Sequence, residues 1–377
     1  FLSRSLCGIL LGMSRANFLR IFPTPRYLAM PAVGVDISDQ SVKFMQLAFR
    51  RDQIVIERYG EKPIPVGVIE SGTIRDSASL IKILTELKSE HQLIEVVASM
   101  PEEEAYIARL TLPMMKPNEL RGSVELQLEE YVPLPAGEAV FDYEVIEAPG
   151  NKQGNYELAV SALPRRTVAS YTEAFAGAHL RPLAFEVEAH AIARSVVPAG
   201  EDRLAMIVDF GKTRTSFFIA SGWSVVFSAT AKSIGGEDIT TAVQKALNLS
   251  HDQAEKLKVE RGLLTAHSQR ELFFAMMPIV SVLRDEITKH QNYWETHREE
   301  HGRLGRRLEE VIICGGQATL PGLIDYLNMN LDLPVTLGNP WRNVFSFEKY
   351  IPPINLNQAL RYTTAIGLSL RTLARLT

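Results

Sequence analysis

Residues 33–47 read Val-Gly-Val-Asp-Ile-Ser-Asp-Gln-Ser-Val-Lys-Phe-Met-Gln-Leu. An apolar run ends in Asp36, a short polar turn follows, and alternation resumes at Val42, Phe44 and Leu47. This pattern predicts strand, turn, strand, with a carboxylate and several backbone N–H groups in the turn. The same order returns at 206–219, Met-Ile-Val-Asp-Phe-Gly-Lys-Thr-Arg-Thr-Ser-Phe-Phe-Ile. Two such hairpins facing each other could clasp one polyphosphate between two loops of N–H donors. Asp36 and Asp209 would then stand beside its Mg²⁺, an ion that takes carboxylate, water and phosphate oxygens. Two unrelated hairpins are the competing interpretation of each stretch alone.

A third stretch narrows the choice. Val311-Ile-Ile-Cys-Gly-Gly316 is a strand emptying into two glycines, where backbone can approach a planar ligand more closely than any side chain allows.

The bulk numbers set bounds. A chain of 377 residues is long enough for two or three domains. Hydrophobic content of 46% and charged content of 22% are those of an ordinary globular protein. A net charge of −4 gives no reason to expect nucleic acid as a partner. No apolar run approaches the ~18 residues of a transmembrane helix. Leu272–Leu283, which contains a proline, is expected as a buried helix. Cys7 and Cys314 lie far apart in sequence, and Cys314 falls in an apolar strand, so reduced thiols and the cytosol are expected. Residues 1–12 resemble a weak signal peptide; with Met13 as the natural start they become an upstream extension.

Along the chain, prolines 23, 25 and 31 allow only a short helix and an extended lead-in. The order to residue 116 is βββαβ. Leu120, Val124, Leu128 and Tyr131 mark a helix, strands are expected at 139–146 and 156–162 around a turn at 149–155, and 166–179 is a second helix. This αββα order predicts a small inserted unit at 117–184. A strand at 183–188 and a helix at 189–197 follow. The second half repeats the strand hairpin, becomes almost wholly helical from 239 to 303, and ends in an amphipathic segment at 360–373 expected to fold back on the first domain.

Aspartate hairpin, aspartate hairpin and strand–Gly–Gly in this order resembles the actin-like ATPase superfamily. The resemblance implies an α/β fold of two duplicated mixed-sheet domains around a nucleotide cleft, with a small inserted α+β subdomain. Domain I would be 31–116 with 185–203 and 355–377, domain II 204–354 with a helical part at about 236–306, and 1–30 an extension. By position it implies ATP and Mg²⁺ as ligands, with Asp36 and Asp209 at the metal. Ser38, Ser41 and Lys43 would serve the first phosphate turn, and Gly211, Thr213 and Thr215 the second. Glu255, Lys258, Gly315 and Gly316 would lie beside the nucleoside, and Gly235 and Gly236 would also bind the cofactor. Glu188 would orient the attacking water. Ser38, Gln40 and Thr213 stand where the superfamily usually has glycine, which narrows the loops and implies slow hydrolysis.

Within the superfamily, several phrases resemble the PilM-type proteins of type IV pilus assembly. They are Tyr131-Val-Pro-Leu-Pro before Phe141-Asp-Tyr-Glu-Val, Ser233-Ile-Gly-Gly-Glu, Leu337-Gly-Asn-Pro-Trp341, and Tyr362-Thr-Thr-Ala-Ile-Gly-Leu368. That resemblance implies a place at the cytoplasmic face of the inner membrane. It also implies a partner, the cytoplasmic N-terminal tail of PilN (of a PilN/PilO complex), held near the inserted subdomain. Pilus motor ATPases and further copies of the chain are additional candidate partners. A metabolite kinase of the same fold and an FtsA-like membrane filament are the alternatives. Against the first, no sugar-binding set of polar residues surrounds Glu188; against the second, the sequence closes at Arg-Thr-Leu-Ala-Arg-Leu-Thr377 without a linker and membrane helix.

Overall fold

The computed structural model describes residues 32–50, 53–146, 155–201, 203–264, 270–297 and 306–373. The expectations for residues 1–31, Cys7 among them, and for the turn that begins at Pro149 lie outside the described residues.

The first sheet grows from β1 (Val33–Ile37), buried on both faces. It pairs antiparallel with β2 (Ser41–Arg50), and β2 pairs antiparallel with β3 (Gln53–Pro63). The short pair β4 (Ile69–Glu70) and β5 (Thr73–Ile74) leads into α1 (Ser77–His91). Asp76 caps α1 by accepting from Ser79 N at 3.0 Å, and Leu80, Ile83, Leu84 and Leu87 form its buried stripe. β6 (Glu95–Met100) then runs parallel to β1, as a strand–helix–strand crossover permits.

The unit expected at 117–184 has different limits. Its sheet is β7 (Tyr106–Pro113), β8 (Ala139–Val145) and β9 (Asn155–Pro164), in the order β7-β9-β8, so it begins before 117. Its own core packs Leu110, Leu112, Leu158 and Val160 against Leu120, Val124 and Leu128 of α2 (Pro117–Tyr131). The second expected helix, α3 (Arg165–Gly177), belongs elsewhere: its Tyr171, Ala174 and Phe175 are buried in the main core beside α1. Strand–helix order cannot report which neighbour a helix buries its face against, and this helix turns away.

β10 (Arg181–Val187) returns to the first sheet parallel to β6 and delivers α4 (Glu188–Val196). The second sheet repeats the plan. β11 (Leu204–Phe210), β12 (Thr215–Ser221) and β13 (Ser224–Ala231) pair antiparallel in turn. α5 (Gly236–Leu247), α6 (His251–Arg261) and α7 (Arg270–Thr296) lead to β14 (Glu310–Cys314), parallel to β11. α8 (Leu323–Asn330) connects β14 to β15 (Val335–Leu337). The two five-stranded orders, β10-β6-β1-β2-β3 and β15-β14-β11-β12-β13, match strand for strand in order and direction of pairing.

Two helices differ from expectation. Leu272–Leu283 is one-sided: Leu272, Met276, Val280 and Leu283 are buried, whereas Phe274 is 67% exposed. After α9 (Leu356–Ala359), α10 (Thr363–Leu373) is buried nearly all round. It packs on α4, β1 and β2, so it does fold back on the first domain. Contact is close because a methyl group at Gly34 would overlap the Ala365 carbonyl, and one at Gly367 the Ala191 carbonyl. Among the described residues, no helix is long and apolar enough to cross a membrane.

Candidate functional site

Three sequence signals meet in one cavity of about 600 Å³, within the range of small-ligand sites. Asp36, Ser38, Ser41 and Lys43 come from the β1–β2 hairpin, Asp209, Gly211 and Thr213 from the β11–β12 hairpin, and Gly315 and Gly316 from the end of β14. Glu188, Glu255 and Lys258 also line it. The duplicated sheets thus bring both aspartate turns to opposite sides of one cleft.

Each turn is built locally. Ser38 N–H donates to Ser41 O at 3.0 Å, closing the first. Asp39 reaches out of it to accept from Ser71 N and Gly72 N at 3.1 and 3.0 Å. Lys43 Nζ donates to Ser41 Oγ at 2.8 Å and lies 3.9 Å from Glu61. In the second turn Gly211 N–H donates to Arg214 O at 3.0 Å.

Three expected ligand residues do not line the cavity. Thr215 is fully buried and donates to Ile234 O at 2.6 Å. Gly235 and Gly236 sit behind the second turn. Gly236 N–H donates to Gly211 O at 3.0 Å and Glu237 N–H to Lys212 O at 2.8 Å, so the start of α5 buttresses the turn. A methyl group at Gly235 would overlap the Lys212 carbonyl, and one at Gly236 the Gln317 side chain. The glycines serve packing between loops.

Gly315 carries a related correction. Its φ is +88°, and a Cβ would overlap Asp209 Oδ1 and the Phe210 carbonyl. The close approach that requires glycine at 315 is to the second aspartate turn. Gly316 is different, with only Arg361 Cγ at 3.6 Å from the place of a Cβ, so its open face borders the cavity.

The cavity lining carries five carboxylates and five cations, yet the two turn aspartates stand apart from the ion pairs. Burial pushes the Asp36 carboxyl above its usual range, although Lys43 and Arg214 pull it down. Burial likewise raises Asp209 to about 6, against the pull of Arg214 and with the push of Asp36. Neither aspartate forms a salt bridge among the described residues; Asp36 Oδ1 accepts only a 3.3 Å bond from Ser99 Oγ. Two sheltered carboxylates without a direct cation fit a divalent ion completed by water and phosphate. No group of three or more candidate metal ligands occurs among the described residues.

Glu188 heads α4, and its carboxylate is held by Arg214 Nη2 at 2.9 and 3.2 Å. Burial raises it well above the ordinary range; Arg214 opposes this, and Asp36, Glu103 and Asp209 add to it. Arg214 went unread in the sequence, yet a cation inside an Asp-Gly-Thr turn is itself a signal. The wall formed by Asn357, Leu360, Arg361, Thr363 and Thr364 was also missed, because that segment reads as ordinary helix. Arg361 pairs with Glu61 at 2.7 and 2.9 Å across that wall.

A second cavity of about 480 Å³ lies between the three-stranded sheet and the first domain. Val140, Phe141, Asp142, Tyr143 and Glu144, five successive residues of β8, all border it. Since successive side chains point to opposite faces, the cavity meets the edge of β8, which among the described residues has no sheet partner beyond β9. The opposite wall comes from Glu186, His190, Arg194 and Arg371. Arg371 lies 3.3 Å from Glu186, which Arg194 also holds.

A family model for the type IV pilus assembly protein PilM matches residues 34–373. The chain is similar to a solved structure described as the PilM-PilN type IV pilus biogenesis complex, at 22% identity over 92% of this chain and 99% of that one, with a TM-score of 0.73. It is also similar to the ethanolamine utilization protein EutJ from Carboxydothermus hydrogenoformans (16%; 94% and 96% covered; TM-score 0.53). A third is MreB 5 of Spiroplasma citri bound to AMPPNP (12%; 91% and 97% covered; TM-score 0.54). At these identities the structural likenesses carry the fold, which is the actin-like ATPase fold. With the family model matched from the first strand of the first sheet to the last helix, the chain belongs to the family of the type IV pilus assembly protein PilM.

Proposed function

We propose that this chain is an ATP-binding actin-like scaffold of type IV pilus assembly at the cytoplasmic face of the inner membrane. The observation that carries the nucleotide half is the convergence of both aspartate turns and the strand–Gly–Gly on one polar cavity. Asp36 and Asp209 would hold Mg²⁺ through its waters. The N–H groups and hydroxyls of the two turns, with Lys43, would hold the phosphates, and Gly316 would border the base. The bound ion would neutralise phosphate charge. Glu188 would orient the attacking water, but its clamp by Arg214 and the side chains at Ser38, Gln40 and Thr213 keep turnover slow.

The partner half rests on the second cavity. An extended segment entering it can add a strand to the free edge of β8, where backbone hydrogen bonds provide affinity and pockets provide selection. We assign this groove to the cytoplasmic N-terminal tail of PilN, the component named with PilM in the similar complex.

The nucleotide half is tested by thermal unfolding with and without ATP and Mg²⁺. A ligand that binds only the native state raises Tm by mass action. Gly316→Trp fills the open face beside Arg361 and is expected to abolish the shift. A full shift in that variant would place the nucleotide elsewhere.

A further inference from the structure

Arg214 joins three parts of the chain. It belongs to the turn between β11 and β12, on the cavity wall. Its Nη2 holds Glu188 at the start of α4, and its Nη1 lies 2.8 Å from Glu103 Oε1. Glu103 sits in the single turn Glu102–Glu104 that leads into β7, the first strand of the small sheet.

That turn is a clasp in which three successive glutamates hold three places. Glu102 Oε2 accepts from Ala189 N at 3.4 Å, beside Glu188. Glu104 accepts from Thr73 Oγ1 at 3.3 Å and from Thr167 Oγ1, on α3, at 3.2 Å. Glu102 meets the second sheet through the Ser228 hydroxyl, and Glu103 reaches the cavity wall itself, through Arg214. The small sheet packs β7 and β9 against β13, and at its root the Arg214–Glu103 ion pair is the tie that ends on the cavity wall.

We propose that Arg214 is a terminal-phosphate sensor: a nucleoside triphosphate in the cavity draws its guanidinium from Glu103 and thereby loosens the root of the three-stranded sheet. This rests on the cleft being a nucleotide site. A guanidinium fork matches phosphate as well as carboxylate, and the pairing is exchangeable because both are planar or tetrahedral oxyanions met by the same N–H pairs. Arg214 shares the cavity wall with Ser38, Gly211 and Thr213, the turn residues that would cradle phosphate. Glu103 is nearly fully buried, so losing Arg214 leaves its carboxylate without its ion-pair partner, and that cost is what loosens the turn. A diphosphate lacks the terminal group and leaves the pair intact. Release at Glu103 removes the charged tie between the root of β7 and the cavity wall, and β7 is hydrogen-bonded to β9, which carries the groove edge β8.

The experiment is amide hydrogen exchange of residues 102–112 in the full chain. The probes are Mg²⁺ with ADP, and Mg²⁺ with a non-hydrolysable ATP analogue. The analogue is expected to speed exchange at 103–106 by about tenfold over ADP, the factor that one lost charge-assisted contact of ordinary strength corresponds to. Arg214→Gln is expected to erase that difference while still showing a thermal shift with ADP. Glu103→Gln, the backup if Arg214→Gln does not fold, is expected to exchange fast with either nucleotide. Equal exchange in wild type with both nucleotides, or a difference that survives either substitution, overturns the sensor while leaving nucleotide binding in place. A wild-type chain with no thermal shift for either nucleotide refutes the cleft assignment, and the sensor with it.

Discussion

Lys258 Nζ lies 2.7 Å from Glu255 Oε2, and this pair is a buried pin between helices as well as a cavity wall. The same ammonium donates to Gly236 O at 3.0 Å and to Thr240 Oγ1 at 2.9 Å, so all three of its protons are committed inside the protein. Lys258 is 1% exposed and has no donor left for a ligand, whereas the Glu255 side chain is partly exposed on the cavity wall. The two residues therefore separate in their effects. Lys258→Met should cost about 2–3 kcal/mol of stability, the lower side of what breaking a buried pair costs, because Glu255 keeps some contact with water. Glu255→Gln should also lower the urea midpoint, because it leaves the buried Lys258 ammonium without its carboxylate, and should in addition weaken ATP by about tenfold through one lost charge-assisted bond. An unchanged midpoint in Lys258→Met would show that the pin carries no load.

Glu102 sets a pH dependence of definite sign. It is 3% exposed, and burial raises its carboxyl to about 7; the Ser228 hydroxyl, the Ala189 N–H and Arg214 hold it down, and Glu103 pushes it up. Between its unfolded value near 4.5 and about 7 the folded chain binds the extra proton, so stability is fullest below that window and is lost as pH rises through it. Asp209, raised to about 6, acts in the same direction. His190 acts oppositely: burial lowers it to about 4, so the folded chain resists its protonation as pH falls. Comparing wild type with Glu102→Gln at each pH removes the shared contributions of the other groups. The variant is expected to gain on the order of 2–3 kcal/mol relative to wild type between pH 5 and pH 8. A gap between the two urea midpoints that does not widen with pH would refute it.

Much of this site was legible because each signal was local. A carboxylate ending an apolar strand, a polar turn and a resumed alternation can be read inside fifteen residues, and the duplicated order then fixes which loops share a cleft. What stayed hidden depends on distant partners. Glu102 and Glu103 look like a solvated acidic run until the second sheet covers them. Gly34 and Gly367 look like strand and helix weaknesses until α10 is seen lying against β1 and α4. The resemblance places Gly235 and Gly236 at the ligand, but their neighbours are Lys212 and Gln317. The limits of the small sheet failed for the same reason: β7 precedes α2 in sequence, and only its pairing with β9 reveals its membership.

The groove at β8 gives the last prediction, and the fold decides how to make it. Removing 117–184 would also remove α3, whose Tyr171, Ala174 and Phe175 are fully buried in the main core, so the first domain would not survive. Point substitutions on opposite walls avoid that. Tyr143 borders the groove from β8 while resting on the small sheet's own cluster, and Arg371 borders it from α10, half free of Glu186. Interface energy concentrates in a few aromatic and arginine side chains, so Tyr143→Ala and Arg371→Ala should each weaken a synthetic PilN tail by about tenfold or more. Neither residue touches the nucleotide cavity, so the ATP-induced rise in Tm should persist in both. Affinity is measured by titrating the tail into wild type and each variant. Tail binding unchanged in both, with the proteins folded, would remove the partner from this groove.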